Sequence, residues 1–143
     1  MDKHCLENQI CFKLYALSRQ LINQYRPLLE DLDITYPQYL VMMVLWKEKN
    51  ITVKELGNRL YLDSGTLTPL LKRLEQKKFI SRQRDEADER SVIISILKAG
   101  NELQQKAKKV PEFLGKCLSL KEKEYLQLKE QLDSLLSQVT LEA

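Results

Sequence analysis

The sequence predicts a mainly helical fold carrying one small β-hairpin. Three observations lead to this. The 143 residues include only four glycines and four prolines, too few for the many turns of a sheet-rich chain, so long helices with short joints must account for most of it. Apolar residues recur at helical spacing in most segments, as Ile10, Leu14, Leu17 and Leu21 do. Between Phe79 and Leu97 the period changes: Phe79 to Arg84 and Ser91 to Leu97 alternate like two strands, separated by the polar stretch "DEADE".

The first helix is expected from about Leu6 to Leu29, with Pro27 late in it or kinking it. Thr35 can cap the next, with Pro37 tolerated in its first turn. That helix, "PQYLVMMVLWKEK", is apolar nearly all round and should form the buried centre. Thr52 caps a short helix, "VKELGNRLY", and Asp63 or Ser64 caps "GTLTPLLKRLEQKK", which Pro69 should bend slightly. After the hairpin come a helix from Gly100 to about Lys109, a stop near Pro111, and a last helix from Leu120 to Val139. An apolar fraction of 43% with 30% charged residues suits one domain over residues 1–143.

Several classes of function are short of parts. Cys5, Cys11 and Cys117 are an odd number, so a disulfide framework is not expected. With His4 the only histidine and no Cys-x-x-Cys pair, neither a zinc set nor a Ser-His-Asp or Cys-His catalytic arrangement can be assembled, and no cofactor is implied. His4 reads as a solvated residue near a frayed terminus, and Cys5 as incidental. No apolar run approaches the roughly 18 residues that span a bilayer. The start "MDKHCLENQ" lacks a basic segment followed by an apolar core, so a cytoplasmic protein is expected.

The net charge is only +3, but its distribution is uneven: between Ser64 and Arg84 six basic residues (Lys72, Arg73, Lys77, Lys78, Arg82, Arg84) face one acid, Glu75. That is the footprint of a phosphate-facing surface. A short helix, a tight turn, a second helix and a hairpin together make a winged helix-turn-helix over about residues 52–97. Its second helix fits the major groove of B-DNA. There Ser64, Thr66 and Thr68 would meet base edges, with Lys72 and Arg73 one turn on. At the hairpin, Arg84 and Arg90 are long enough to enter the minor groove.

"YLDSGTLTPLLKRLEQKKFISRQRDEADERSVIISIL" resembles the winged helix of the MarR regulators, including their Asp-x-Arg signature at the wing, here Asp88-Glu89-Arg90. More narrowly, "LENQICFKLYALSR", "QYRPLL" and "ITYPQYLVMMVLW" resemble the organic hydroperoxide regulators within that family. The likeness runs from about Leu6 to Leu136. It implies a homodimer formed by the N- and C-terminal helices (residues 6–35 and 98–143), binding double-stranded DNA at a palindromic operator and repressing a peroxidase gene. It also implies that Arg90 enters the minor groove while Asp88 holds it.

The resemblance makes Cys11 the peroxide-sensing thiol. The residues alone leave two readings open: a small hydrophobe at a core edge, or a thiol placed to react. A thiol reacts with peroxide as thiolate. Placed more than a turn inside a helix starting near Leu6, Cys11 would gain little from the helix dipole, and no basic residue lies three or four positions away. Donors must come from elsewhere, and the resemblance assigns this to Tyr25 and Tyr36, one of them reached across the dimer. Tyr15 and Tyr39 read as packing. Phe12, Met42, Met43 and Trp46 offer either a pocket for an organic peroxide or plain core. Cys117, near a helix start between Gly115 and Ser119, falls where two-cysteine members carry the resolving thiol. Three alternatives stay open: a one-cysteine sensor with an inert Cys117, a repressor relieved by a small aromatic ligand, and a thiol peroxidase, for which no Thr-x-x-Cys motif is present.

Overall fold

The computed structural model describes residues 2–141, so the ends of the expected 1–143 span lie outside it. The chain forms two compact units, one ending at Val110 and one beginning at Pro111. In the first, a 3-10 turn (Leu6–Asn8) precedes α1 (Ile10–Glu30), followed by α2 (Tyr36–Glu48), β1 (Asn50–Thr52), α3 (Val53–Leu60), α4 (Ser64–Gln76), β2 (Ile80–Arg84), β3 (Val92–Ile96) and α5 (Lys98–Lys106). The second holds most of α6 (Val110–Leu118), and α7 (Glu122–Leu141).

Thr35 does cap α2: its hydroxyl accepts from the Gln38 amide and the Gln38 side chain accepts from the Thr35 amide, a reciprocal box. Thr35→Ala should therefore lower stability by about 1 kcal/mol, read as a shift in denaturation midpoint. Thr52 caps α3 through a single bond, its hydroxyl accepting from the Glu55 amide at 3.1 Å. As its all-round apolar sequence requires, α2 is the centre of the unit, with Val41, Met42 and Leu45 fully buried. Leu56 of α3, Leu67 and Leu74 of α4, and Ile94 of β3 complete the core; each contributes about 1.5–3 kcal/mol of hydrophobic stabilisation.

The two expected strands are β2 and β3, paired antiparallel from Ile80↔Ile96 to Arg84↔Val92. A third was not expected. β1 adds to the other edge of β3 through Asn50↔Ser95, Ile51↔Ile94 and Thr52↔Ile93, giving the order β1-β3-β2. The helix-turn-helix closes tightly because Gly57 has no side chain: a Cβ there would lie 2.7 Å from the Leu62 carbonyl oxygen. Tyr61 then ends α3 in the left-handed conformation at φ 55°. A second close approach is at Gly100, where a Cβ would fall 2.2 Å from the Phe79 carbonyl oxygen. Gly100 also accepts the Trp46 indole N–H at 2.8 Å, tying α5 to α2.

Three helix expectations need correction. The first α-helix begins at Ile10, not near Leu6, because Gln9 is extended (φ −86°, ψ 113°) and separates it from the 3-10 turn. α5 starts two residues before Gly100. Pro111 does not stop a helix but lies in the first turn of α6, where its missing N–H costs nothing. Cys117 is consequently near the end of a helix, not its start. Among the described residues no helix is long and apolar enough to cross a membrane.

Candidate nucleic-acid interface and redox cysteines

An open groove of about 810 Å³ lies between α3, α4 and the wing. Of the expected DNA-facing residues, Ser64, Thr68, Asp88 and Arg90 line it, and so does Arg82. Thr66, Lys72, Arg73 and Arg84 are exposed on the same elements without lining the groove. Ser64 is the first residue of α4, capped by Asp63. The Asp63 side chain accepts from the Thr66 hydroxyl rather than from a backbone amide, and this holds its carboxyl below the usual range. Thr68 donates its hydroxyl to the Ser64 carbonyl at 2.7 Å. Both threonines have thus placed their protons internally. What they offer outward is an acceptor lone pair and a methyl group, suited to base amino groups and to thymine.

The wing tip is built by its own aspartates. Asp85 accepts from the Ala87 amide and Asp88 from the Arg90 amide, each at 3.0 Å, and the Asp85 amide reaches the Ser91 carbonyl at 2.8 Å. Asp88 therefore holds Arg90 through its backbone, which fixes the root of an exposed guanidinium. The groove is also lined by Thr52 at the end of β1, by Lys54 and Asn58 of α3, which sequence reasoning did not single out, and by Arg82 of β2, which it counted only as one of a basic cluster. Arg82 pairs with Glu75 of α4 at 3.0 Å and holds the Glu75 carboxyl below the usual range. The available signal was that Glu75 is the one acid in a basic run.

Cys11 is exposed and is the second residue of α1. This corrects the expectation that it lies more than a turn inside its helix: it sits in the first turn, where amides lack intrahelical partners and an anion is favoured. Cys117, also exposed, is the penultimate residue of α6 in the other unit. Cys5 donates its thiol to Glu7 at 2.6 Å. The terminal segment is not simply frayed, since the Asn8 side chain binds the Asp2 carbonyl at 3.0 Å; His4 is exposed, as expected.

Tyr25 and Tyr36 stack on one another with centroids 5.3 Å apart, and Tyr36 continues to Tyr39 at 6.3 Å. Burial pushes the Tyr36 and Tyr39 phenols up, keeping them protonated as donors. Tyr25 stands fourteen positions after Cys11 on the same helix, about 21 Å along the axis. Neither phenol of the stacked pair can meet the Cys11 of its own chain, so both, not one, would have to come from a second copy. Tyr39 packs as expected, but Tyr15 is exposed and carries Arg19 5.4 Å above its ring. Met42 and Trp46 are committed to the core and to Gly100, leaving Phe12 and Met43 exposed.

Helix, turn, helix and wing in this arrangement define the winged helix-turn-helix class. A family model described as transcriptional regulator SarA/Rot matches residues 23–107, and the chain belongs to this MarR/SarA family of transcriptional regulators. It is 52% identical over 138 residues to the organic hydroperoxide resistance transcriptional regulator of Bacillus subtilis, covering 94% of this chain and 92% of that one. Among solved structures it is similar to AbfR of Staphylococcus epidermidis. Reduced AbfR bound to DNA has a TM-score of 0.77 at 38% identity, with 94% of both chains covered. The disulfide form of AbfR has a TM-score of 0.65 at 37% identity, with 92% of both covered.

Proposed function

We propose that this protein is a redox-sensing, DNA-binding transcriptional repressor that releases a palindromic operator when Cys11 is oxidised by an organic hydroperoxide. The observation that carries the reading is the convergence of Ser64, Thr68, Asp88 and Arg90 on one groove flanked by exposed Lys72, Arg73 and Arg84. The relative named for organic hydroperoxide resistance, and AbfR in its DNA-bound and disulfide forms, support the redox part. The protein is a regulator, not an enzyme, and works in the cytoplasm.

On this reading α4 enters the major groove, where Ser64, Thr66 and Thr68 meet base edges while Lys72 and Arg73 meet phosphates. Arg84 and Arg90 reach the adjacent minor groove, with Asp88 fixing the turn from which Arg90 projects. Two copies join through apolar residues left exposed in one, among them Ile10, Leu14 and Leu17 of α1 and Leu132, Leu135 and Leu136 of α7.

The sensor chemistry follows from the thiolate. Cys11 sulfur attacks the terminal peroxide oxygen, the O–O bond breaks, and the products are a sulfenic acid and an alcohol. A Cys117 thiol then displaces water to give a disulfide. The first-turn amides of α1, with Tyr25 and Tyr36 of a second copy, stabilise the thiolate. A duplex selected from random sequence by the reduced protein should dissociate on treatment with tert-butyl hydroperoxide. Tyr25→Phe and Tyr36→Phe should each slow oxidation by about tenfold, one charge-assisted hydrogen bond being lost. Wild-type rates in both variants would mean the donors lie elsewhere, and failure to select any duplex would remove the function itself.

A further inference from the structure

Glu75 carries the wrong sign for a surface that meets phosphates, and it is the one acid between Ser64 and Arg84. The structure gives it a partner: Glu75 Oε1 lies 3.0 Å from Nη2 of Arg82, the middle residue of β2. The two side chains are only 39% and 28% exposed, and Arg82 Nε is buried with no hydrogen-bond partner among the described residues. Among those residues this is the one ion pair joining the second helix of the helix-turn-helix to the wing. Arg82 meanwhile lines the same groove as Asp88 and Arg90.

We propose that the Glu75–Arg82 pair is a positioning strut: it fixes the spacing between α4 and the wing, and so the offset between their contacts in neighbouring grooves of DNA. The inference rests on the DNA-binding reading above. Its physical basis is leverage. The wing tip begins at Asp85, three residues beyond Arg82, about 10 Å at the rise of a strand. Slack at the pair is therefore magnified at Arg90, whose partner groove on a duplex stands at a set distance from the one α4 occupies. An arginine meant only to grip phosphate would be better placed without a carboxylate competing for it.

This makes a prediction opposite in sign to simple electrostatics. Glu75→Gln keeps the shape of the side chain, frees Arg82 and adds one net positive charge. If Arg82 acts by direct phosphate contact, the substitution tightens DNA binding through greater counterion release. If the pair is a strut, it weakens binding by about fivefold. Hydroxyl-radical protection of the flanking minor grooves then fades while guanine N7 protection in the major groove persists. The probe is a duplex selected by the reduced wild-type dimer, with thermal unfolding measured alongside. Exchanging the pair, Glu75→Arg with Arg82→Glu, should restore flank protection at unchanged net charge. Unchanged or tighter binding by Glu75→Gln with its flanks still protected, or a folded exchange variant with flanks still bare, would overturn the strut while leaving the DNA reading in place. Failure of the wild type to select any duplex would instead remove that reading and the strut with it.

Discussion

Cys11→Ser is expected to bind duplex DNA as tightly as the wild type and to keep hold of it in organic hydroperoxide. The position lies in α1, none of whose residues lines the groove, so the reduced affinity should not register the change. A serine hydroxyl is not oxidised by peroxide, whereas a thiolate enters the oxidation ladder at once. The effect is all or none: dissociation in wild type, retention in the variant. Non-reducing electrophoresis reads the second step, since a covalent dimer should form in wild type and vanish in Cys11→Ser and in Cys117→Ser. Release of DNA by oxidised Cys11→Ser would remove Cys11 as the sensor. A wild type that stays monomeric on the gel and gains only a small-thiol adduct would make it a one-cysteine sensor.

Arg90→Ala should weaken binding by about 1–3 kcal/mol if its minor-groove contact is made. The loss is steric as well as electrostatic. The guanidinium is exposed and projects from a turn whose backbone is tied by the Asp88 carboxylate, so its loss removes a cation whose point of attachment is fixed. Fluorescence anisotropy across a salt series measures both the affinity and the slope against log salt, which should flatten by about one if a phosphate contact goes too. Unchanged affinity at moderate salt would take the wing out of the mechanism.

Much of this is legible in the sequence. Thr35 and Thr52 announce helix starts because a hydroxyl beside a helical pattern has an evident partner amide. The wing is legible because alternation over two five-residue strands is distinct from helical spacing. β1 was not, since three residues are too few to show a period. The break at Gln9 was invisible for another reason: it is a backbone dihedral change with no cap and no proline, inside an unbroken apolar rhythm. It moves Cys11 from the interior of a helix to its first turn, which changes the chemistry available to the thiol. Pro111 suggests a stop in the sequence, although the rule that admits Pro37 to the start of α2 admits it to the start of α6. The Glu75–Arg82 bridge and the Tyr25–Tyr36 stack are tertiary, and no local pattern encodes them.

The seat of Gly100 has a mechanical consequence. Its carbonyl is held by Trp46 of α2, its Cα sits against the Phe79 carbonyl, and that carbonyl in turn accepts the Leu97 amide at the exit of the wing. The central helix, the root of the hairpin and the start of α5 are thus riveted into a single plate, with no room at the rivet for so much as a methyl group. Such a plate cannot bend in its middle. A disturbance that reached this plate from the sensor end would move it as one body and swing the whole reading head. In a pair of heads, such a swing changes the distance between them, and successive major grooves repeat every 34–36 Å or so. The protein would then work as a pair of callipers: either the jaws match the pitch of the double helix or they do not.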